Sequence, residues 1–211
     1  MKILIITGGH LGDVDYIKEN SLDWDFIICA DGGARHLQKL GIKPDLLVGD
    51  FDSISPELLQ KYKDMGVAIQ TYPKAKDRTD THIAVDIAID MGAKLVYMIG
   101  ALGSRWDHSF ANIMLLYRLE LRGIRAKILH SQNTIMLINN ILEIEGQVGQ
   151  ILSLIPFSEE VHVEYTRGLA YPLNNDVLTS DFPLGISNVL EEEKAVVKVK
   201  KGWLIGVLAK D

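Results

Sequence analysis

Acidic residues collect in this chain where a fold needs only a turn. Asp50 and Asp52 follow the apolar run Leu46 to Val48, with Gly49 between and Asp45 just ahead. In a continuing strand two carboxylates two residues apart point to opposite faces. They converge only if the strand has ended, which Gly49 permits. Asp77 and Asp80 stand three apart across the entry to a helical pattern, a spacing that lets both reach one point. Carboxylates placed this way suit Mg²⁺, which takes a few hard oxygens, keeps several waters and leans on substrate phosphates. The spacing alone leaves a second reading open: Asp50 and Asp52 as turn formers, and Asp77 or Asp80 as a helix cap.

Other segments bear groups that recognise phosphate. Gly8-Gly9 and Asp31-Gly32-Gly33 follow strands and precede helices, where backbone approaches a phosphate closely. Neither is a dinucleotide fingerprint, and no Walker-type run occurs. Gly103-Ser104-Arg105-Trp106-Asp107-His108 brings a forked cation, a carboxylate and an imidazole to a helix start. Late in the chain, Arg167 to Leu173 and Gly185-Ile186-Ser187-Asn188 read as polar loops able to hydrogen-bond a small organic ring. His82 and Asp86 read as a solvated helix-face pair. The other histidines lack partners at metal-ligand spacing, so zinc is not indicated.

The elements that position these groups follow two rhythms. Up to about residue 130, short apolar runs alternate with helical patterns that stop at Gly41, Gly66, Gly92 and Gly123. That rhythm predicts a doubly wound α/β domain with a mostly parallel sheet over residues 1–130. The last helix, about 107–122, carries Phe110, Ile113, Met114, Tyr117 and Leu121. Beyond it the period shortens. Strands at 134–138, 141–144, 150–155, 161–165, 195–200 and 203–209 predict an all-β sandwich or barrel over residues 131–211. In an open α/β sheet, ligands sit beyond the carboxyl ends of the strands, so Asp31, Asp50, Asp80 and Arg105 are expected at one edge.

Charge and composition narrow the partners. The net charge of −6 lacks the basic footprint of a nucleic-acid or anionic-membrane surface. No apolar run approaches membrane-spanning length, and the N-terminal apolar run is too short for a signal peptide. The one cysteine, Cys29, lies in an apolar run, fits a reducing compartment and reads as core. A cytoplasmic protein is the expectation.

Taken together and in order, Asp31-Gly32-Gly33, Pro44-Asp45, Gly49-Asp50-Phe51-Asp52-Ser53, Lys76-Asp77-x-Thr79-Asp80, Arg105-x-Asp107-His108, Gly168-Leu169-x-Tyr171-Pro172-Leu173 and Gly185-x-Ser187-Asn188 resemble the thiamine pyrophosphokinase (thiamin diphosphokinase) family over nearly the whole chain. The resemblance implies an α/β nucleotide domain, a β domain contributing the thiamine site, and a homodimer. It also implies Mg²⁺-dependent transfer of a pyrophosphoryl group from ATP to thiamine, giving thiamine diphosphate and AMP. Carried over by position, Asp50, Asp77 and Asp80 hold metal. Asp31, Gly32, Gly33, Arg105, Asp107 and His108 meet the nucleotide, and Ser187 and Asn188 meet thiamine. Arg105 steadies phosphate, while Asp52 and Asp80 are candidates for accepting the hydroxyl proton. The family's usual pair of glycines before the arginine is here Gly103-Ser104, where serine keeps the N–H but restricts the turn. Sequence patterns leave two other readings standing: phosphate or nucleotide transfer to another small alcohol, and a nucleotide-binding module without turnover.

Overall fold

The computed structural model describes residues 1–20 and 23–210. It divides into two compact units, Met1–Ser131 and Gln132–Asp211.

The first unit runs β1 (Lys2–Ile6), α1 (Val14–Asn20), β2 (Phe26–Ala30), α2 (Ala34–Leu40), β3 (Leu46–Gly49), α3 (Pro56–Asp64), β4 (Ala68–Thr71), α4 (Asp80–Asp90), β5 (Leu95–Ile99), α5 (Trp106–Glu120) and β6 (Arg125–His130). Its strands are all parallel, in the order β6-β5-β1-β2-β3-β4. β1 therefore lies between β2 and β5, and the chain winds outward from it in both directions. The strand order reverses at the β1/β5 boundary, and in an open α/β sheet the crevice for ligands lies at the carboxyl edge beside such a reversal. Ile3 to Ile6, Ile28, Leu47, Val96 and Met98 are wholly buried, as strands covered on both faces require. Cys29 is a free thiol in this core, and burial pushes its pKa up.

Local signals set the helix ends. Ser55 caps α3 by accepting from the Leu58 N–H at 3.3 Å, with Pro56 at the first helical position. Thr79 caps α4 by accepting from the His82 N–H at 3.1 Å. Asp80 is thus the first helical residue and not the cap, which frees its carboxylate for other partners.

Two helix surfaces differ from the sequence expectation. Asp86 is not solvated. Its side chain is 15% exposed and receives Arg118 Nε at 2.8 Å and Arg78 Nη1 at 3.0 Å, while His82 Nε2 lies 3.6 Å away. Burial alone disfavours its charge, but the two guanidiniums outweigh it and hold the carboxyl below its usual range. Burial lowers the His82 pKa, so the ring is a weak third partner. This carboxylate joins α4, α5 and the segment before α4. On α5 the buried face is Ser109, Asn112, Leu115, Leu116 and Leu119, whereas Phe110, Met114 and Leu121 are exposed.

The second unit is antiparallel throughout: β7 (Asn133–Ile138), β8 (Ile141–Glu145), β9 (Ile151–Pro156), β10 (Glu160–Arg167), β11 (Asn174–Thr179), β12 (Asn188–Val189), β13 (Lys194–Lys201) and β14 (Leu204–Ala209). Within it, one sheet runs β12-β9-β14-β7 and the other β11-β10-β13-β8. Their inward side chains, among them Met136, Leu152 and Leu204 against Val163, Ala195 and Val197, form one apolar core. This is a sandwich. The expected mostly parallel α/β half and all-β half are both present. β11 and β12 are additions to the expected strands. β11 opens on Asn174-Asn175-Asp176, residues of low strand propensity, and β12 has two residues.

Asp86→Ala is expected to destabilise the protein by about 2 kcal/mol, because two guanidiniums lose a largely buried partner yet keep some water. His82→Ala is expected to cost less than about 0.5 kcal/mol. Urea denaturation of both variants checks the difference, and equal costs would return Asp86 to a solvated face.

Candidate active site

A cavity of about 710 Å³ opens in the first unit. Its walls come from the segments after β1, β2, β3 and β5, and from residues 74–81 leading into α4. This is the carboxyl edge, at the β1/β5 reversal.

Two backbone crossings shape it. The Gly9 and His10 N–H groups donate to the Gly100 and Leu102 carbonyls, each at 2.6 Å. A Cβ on Gly9 would stand 2.3 Å from the Leu102 oxygen, so only glycine allows this crossing. The Gly8 and Gly9 carbonyls turn toward α2, where the Arg35 guanidinium donates to Gly8 and His36 Nε2 lies 2.8 Å from Gly9. Burial depresses the His36 pKa, so this contact is a neutral N–H donating to the carbonyl. Gly9 therefore serves loop packing, since its N–H is already committed and cannot meet a phosphate. The second crossing is at Gly49, φ 150°, whose added Cβ would lie 2.8 Å from the Asp31 Cβ. Glycine here brings the ends of β2 and β3 together and with them their carboxylates.

One oxygen from each of Asp31, Asp50 and Asp52 lies within 4.8 Å of the other two. β3 has ended at Gly49, and Phe51 takes φ 60°, which turns the two later aspartates to the same side. Asp31 occupies a left-handed backbone position, φ 29°, and accepts from Ser53 Oγ at 2.7 Å through Oδ2. Its Oδ1 is buried with no donor. Burial raises its pKa first of all, the Ser53 hydrogen bond lowers it, and the charges of Asp80, Asp50 and Asp52 raise it further. Asp52 is exposed, and its pKa is lowered by the hydrogen bond from Lys74 and that lysine's charge. Asp80 Oδ1 is also buried. Lys76 Nζ stands 2.9 Å from it but outside hydrogen-bond alignment. Two buried carboxylate oxygens without aligned donors, one of them in the three-carboxylate group, fit a divalent cation such as Mg²⁺ even with the Lys76 ammonium nearby.

The remaining expected residues divide. Asp77, Gly32 and His108 line the cavity, with Asp77 outside the three-carboxylate group. Gly33 does not line it. It packs under β1, where an added Cβ would meet the Ile6 oxygen at 2.5 Å. Arg105 lines the cavity and donates through Nε to Asp107 Oδ1 at 3.3 Å, which holds the Asp107 pKa down. Asp107 itself is exposed and outside the cavity wall; it orients Arg105. Asp45 lies at the other end of β3, accepting from the Ile27 N–H at 2.8 Å.

Sequence reasoning gives no role to Arg35 or Asn112, and names Ser53 only as the end of the Gly49-Asp50-Phe51-Asp52-Ser53 motif. Asn112 is buried within α5, and its Nδ2 donates to the Ala101 oxygen at 2.8 Å, fixing the loop after β5. An asparagine in the middle of an apolar helix is a signal of such a bond.

In the second unit, Ser187 stands at φ 57° and its N–H donates to Ser153 Oγ at 3.1 Å. Asn188 is buried. Its Oδ1 accepts from the Tyr171 N–H at 3.0 Å and its Nδ2 donates to the Tyr171 oxygen at 2.7 Å. The amide thus clamps both backbone groups of Tyr171, whose side chain is exposed. Both polar atoms of the Asn188 side chain are engaged within the chain.

Comparison with known proteins bears on both units. The family model for the thiamin pyrophosphokinase catalytic domain matches residues 16–128, and that for the thiamin pyrophosphokinase vitamin B1 binding domain matches residues 139–204. A thiamine pyrophosphokinase from Bacillus subtilis is 33% identical over 99% of this chain and 99% of its own. A thiamine pyrophosphokinase from Oryza sativa subsp. japonica is 30% identical, covering 79% of this chain and 72% of its own. Among solved structures, the Bacillus subtilis thiamine pyrophosphokinase superposes with a TM-score of 0.89 at 31% identity, covering all of both chains. A Geobacillus thermodenitrificans thiamin pyrophosphokinase gives 0.85 at 27% identity, over 100% of this chain and 98% of its own. With two family models met in order along a chain that its Bacillus relative matches from end to end, the chain belongs to the thiamin pyrophosphokinase family.

Proposed function

We propose that this chain transfers the pyrophosphoryl group of ATP to the hydroxyl of thiamine, giving thiamine diphosphate and AMP. The observation that carries the reading is the cavity at the β1/β5 reversal. It sets carboxylates against lysine and arginine side chains within the matched catalytic domain. The matched vitamin B1 binding domain supplies the second substrate's chemistry.

In the reaction the hydroxyl oxygen of thiamine bonds to the β-phosphorus. The bond from that phosphorus to the α–β bridging oxygen breaks, and AMP leaves with the electron pair. Magnesium held by Asp31, Asp50 and Asp52, with Asp80 beside them, supplies neutralisation of phosphate charge when bound. Arg105, steadied by Asp107, meets charge developing on the phosphates. Lys74 and Lys76 line the same cavity and add positive charge. Asp52 and Asp80 are the candidates for taking the hydroxyl proton. Asp77, which lines the same cavity, accepts hydrogen bonds from the metal's waters in this reading. In the second unit, Ser187 and the Tyr171 loop that Asn188 braces contact thiamine, with hydrogen bonds and a ring face. The net charge of −6 suits a cationic acceptor.

The reading includes a homodimer. Trp106, Phe110 and Met114 recur every fourth residue along α5, each more than half exposed, and form an apolar ridge opposite the helix's buried face. It also includes a cytoplasmic setting, supported by the free thiol of Cys29. Among the described residues, no helix is long and apolar enough to cross a membrane.

Incubation with ATP, thiamine and Mg²⁺ is expected to release AMP, and to release none when thiamine or Mg²⁺ is omitted. ADP as product would assign a different transfer. Asp50→Asn and Asp80→Asn are each expected to lower kcat by about 10²–10⁴-fold with unchanged circular dichroism; near-normal turnover would remove that residue from the metal. Asp31→Asn separates stability from function. The raised pKa means the metal-free protein is destabilised by holding this carboxylate ionised above that pKa. The variant is therefore expected to gain a few degrees in Tm at neutral pH, with the gain fading as pH falls through the raised pKa. It should also lose the stabilisation that Mg²⁺ gives the native chain. A lower Tm at neutral pH would contradict the origin assigned to the shift. Phe110→Glu with Met114→Glu is expected to shift the sedimenting species from dimer to monomer, and a dimer that persists removes α5 from the interface.

A further inference from the structure

The carboxylates at the cavity already have a cationic occupant belonging to the chain. Of the two lysines that line the cavity, Lys76 is the less solvated: its side chain is 13% exposed, and its Nζ lies 2.9 Å from Asp80 Oδ1. Its charge also reaches Asp52, whose pKa it lowers as a minor contribution beside that of Lys74. Lys74, on the same segment, is bound to Asp52 but is 80% exposed, so solvent weakens that pair. Both lysines line the cavity that also holds Arg105 and the carboxylates.

We propose that Lys76 acts as a built-in counter-cation that opposes divalent metal when no nucleotide is present and moves to the triphosphate when nucleotide arrives, so that metal and nucleotide bind cooperatively. The inference rests on the function proposed above and goes beyond it, since it assigns a coupling role to a residue outside the metal's donor set. The physical argument is one of charge. A lysine held against Asp80 in a poorly solvated place satisfies part of the negative charge a cation would meet, and raises the cost of bringing that cation in. Nucleotide phosphates offer Lys76 a second anionic partner within the same cavity. Once the ammonium pairs with phosphate, Asp80 regains its full attraction for metal. The free energy that separates the two metal affinities is a coupling term, and it acts equally in the other direction: metal bound at Asp80 raises nucleotide affinity. A lysine suits this task better than an arginine, because its compact charge on a flexible stem changes partners easily.

The test measures metal binding directly, independent of turnover. Mn²⁺ is titrated calorimetrically, as a probe for the metal, into the full chain alone and with a non-hydrolysable ATP analogue. In the native chain the analogue is expected to tighten Mn²⁺ binding by about tenfold or more. Lys76→Met, which keeps the length of the stem, is expected to bind Mn²⁺ more tightly than the native chain without analogue and to lose most of the tightening with it. Lys76→Gln serves as a second neutral variant should the methionine variant unfold, and Lys76→Arg, which retains the charge, should keep weak nucleotide-free binding. If the native chain binds Mn²⁺ with the analogue, but the neutral variants match it in both nucleotide-free affinity and tightening, the role given to Lys76 is overturned while the proposed function stands. If the native chain binds no Mn²⁺ even with the analogue, the metal reading fails and the inference falls with it.

Discussion

Mutual repulsion among carboxylates is the constraint around which the first unit is built. Asp31, Asp50 and Asp52 come from the ends of two neighbouring parallel strands, with oxygens within 4.8 Å, and Asp80 adds its charge from a third element. Such an arrangement opposes folding unless cations or hydrogen bonds offset it. The chain supplies both. Ser53 donates to Asp31, Lys74 and Lys76 stand against Asp52 and Asp80, and the rigid core beneath holds the strand ends in place. Any further cation among these oxygens relieves the repulsion that remains.

The strand ends can be forced together because the scaffold below is stiff. Residues Ile3 to Ile6 are fully buried between neighbours on both sides, so the tips of β1, β2 and β3 move little relative to one another. Fine placement is then a matter of backbone crossings. Gly9 lets the loop after β1 cross the one after β5, and Gly49 lets β3 approach Asp31, at separations no side chain permits. Asp86 ties α4 to α5 through Arg118, and to the cavity-lining segment before α4 through Arg78. The helices that start at Asp80 and Trp106 are therefore held together at a point away from the cavity, and their N-terminal groups keep a common geometry.

The architecture was legible because periodicity reports burial. Apolar runs without alternation mark strands covered on both faces, and alternating ones mark a sandwich. The division near residue 130 is visible in that change alone. Strand order was not legible, since no local pattern says that β1 lies between β2 and β5. β11 escaped notice because Asn174, Asn175 and Asp176 read as a turn; pairing with β10 overrides their propensity. At the site, the acidic residues stood out by type, while their grouping depended on backbone angles at Gly49 and Phe51 that the sequence only permits. Gly8-Gly9 looked like a phosphate cradle and is in part a crossing point. Asn188 looked like a substrate contact and spends its amide on the Tyr171 backbone.

These internal hydrogen bonds share a cause. A polar or glycine residue in a loop answers first to the backbone around it, because an unpaired buried N–H or carbonyl costs more than a lost ligand contact before any ligand is present. Asn188, Asn112, His36 and Gly9 all settle backbone obligations and so fix where other groups point. What remains for chemistry is the set whose needs the chain leaves unmet. Asp31 Oδ1 and Asp80 Oδ1 are buried without an aligned donor, and Lys76 lies beside Asp80 without one of its hydrogen bonds formed to it. Among the described residues, the other buried side-chain atoms without a partner are single ring nitrogens, His36 Nδ1 and His162 Nε2, so the unmet carboxylate oxygens gather at this one edge, beside the chain's own cations.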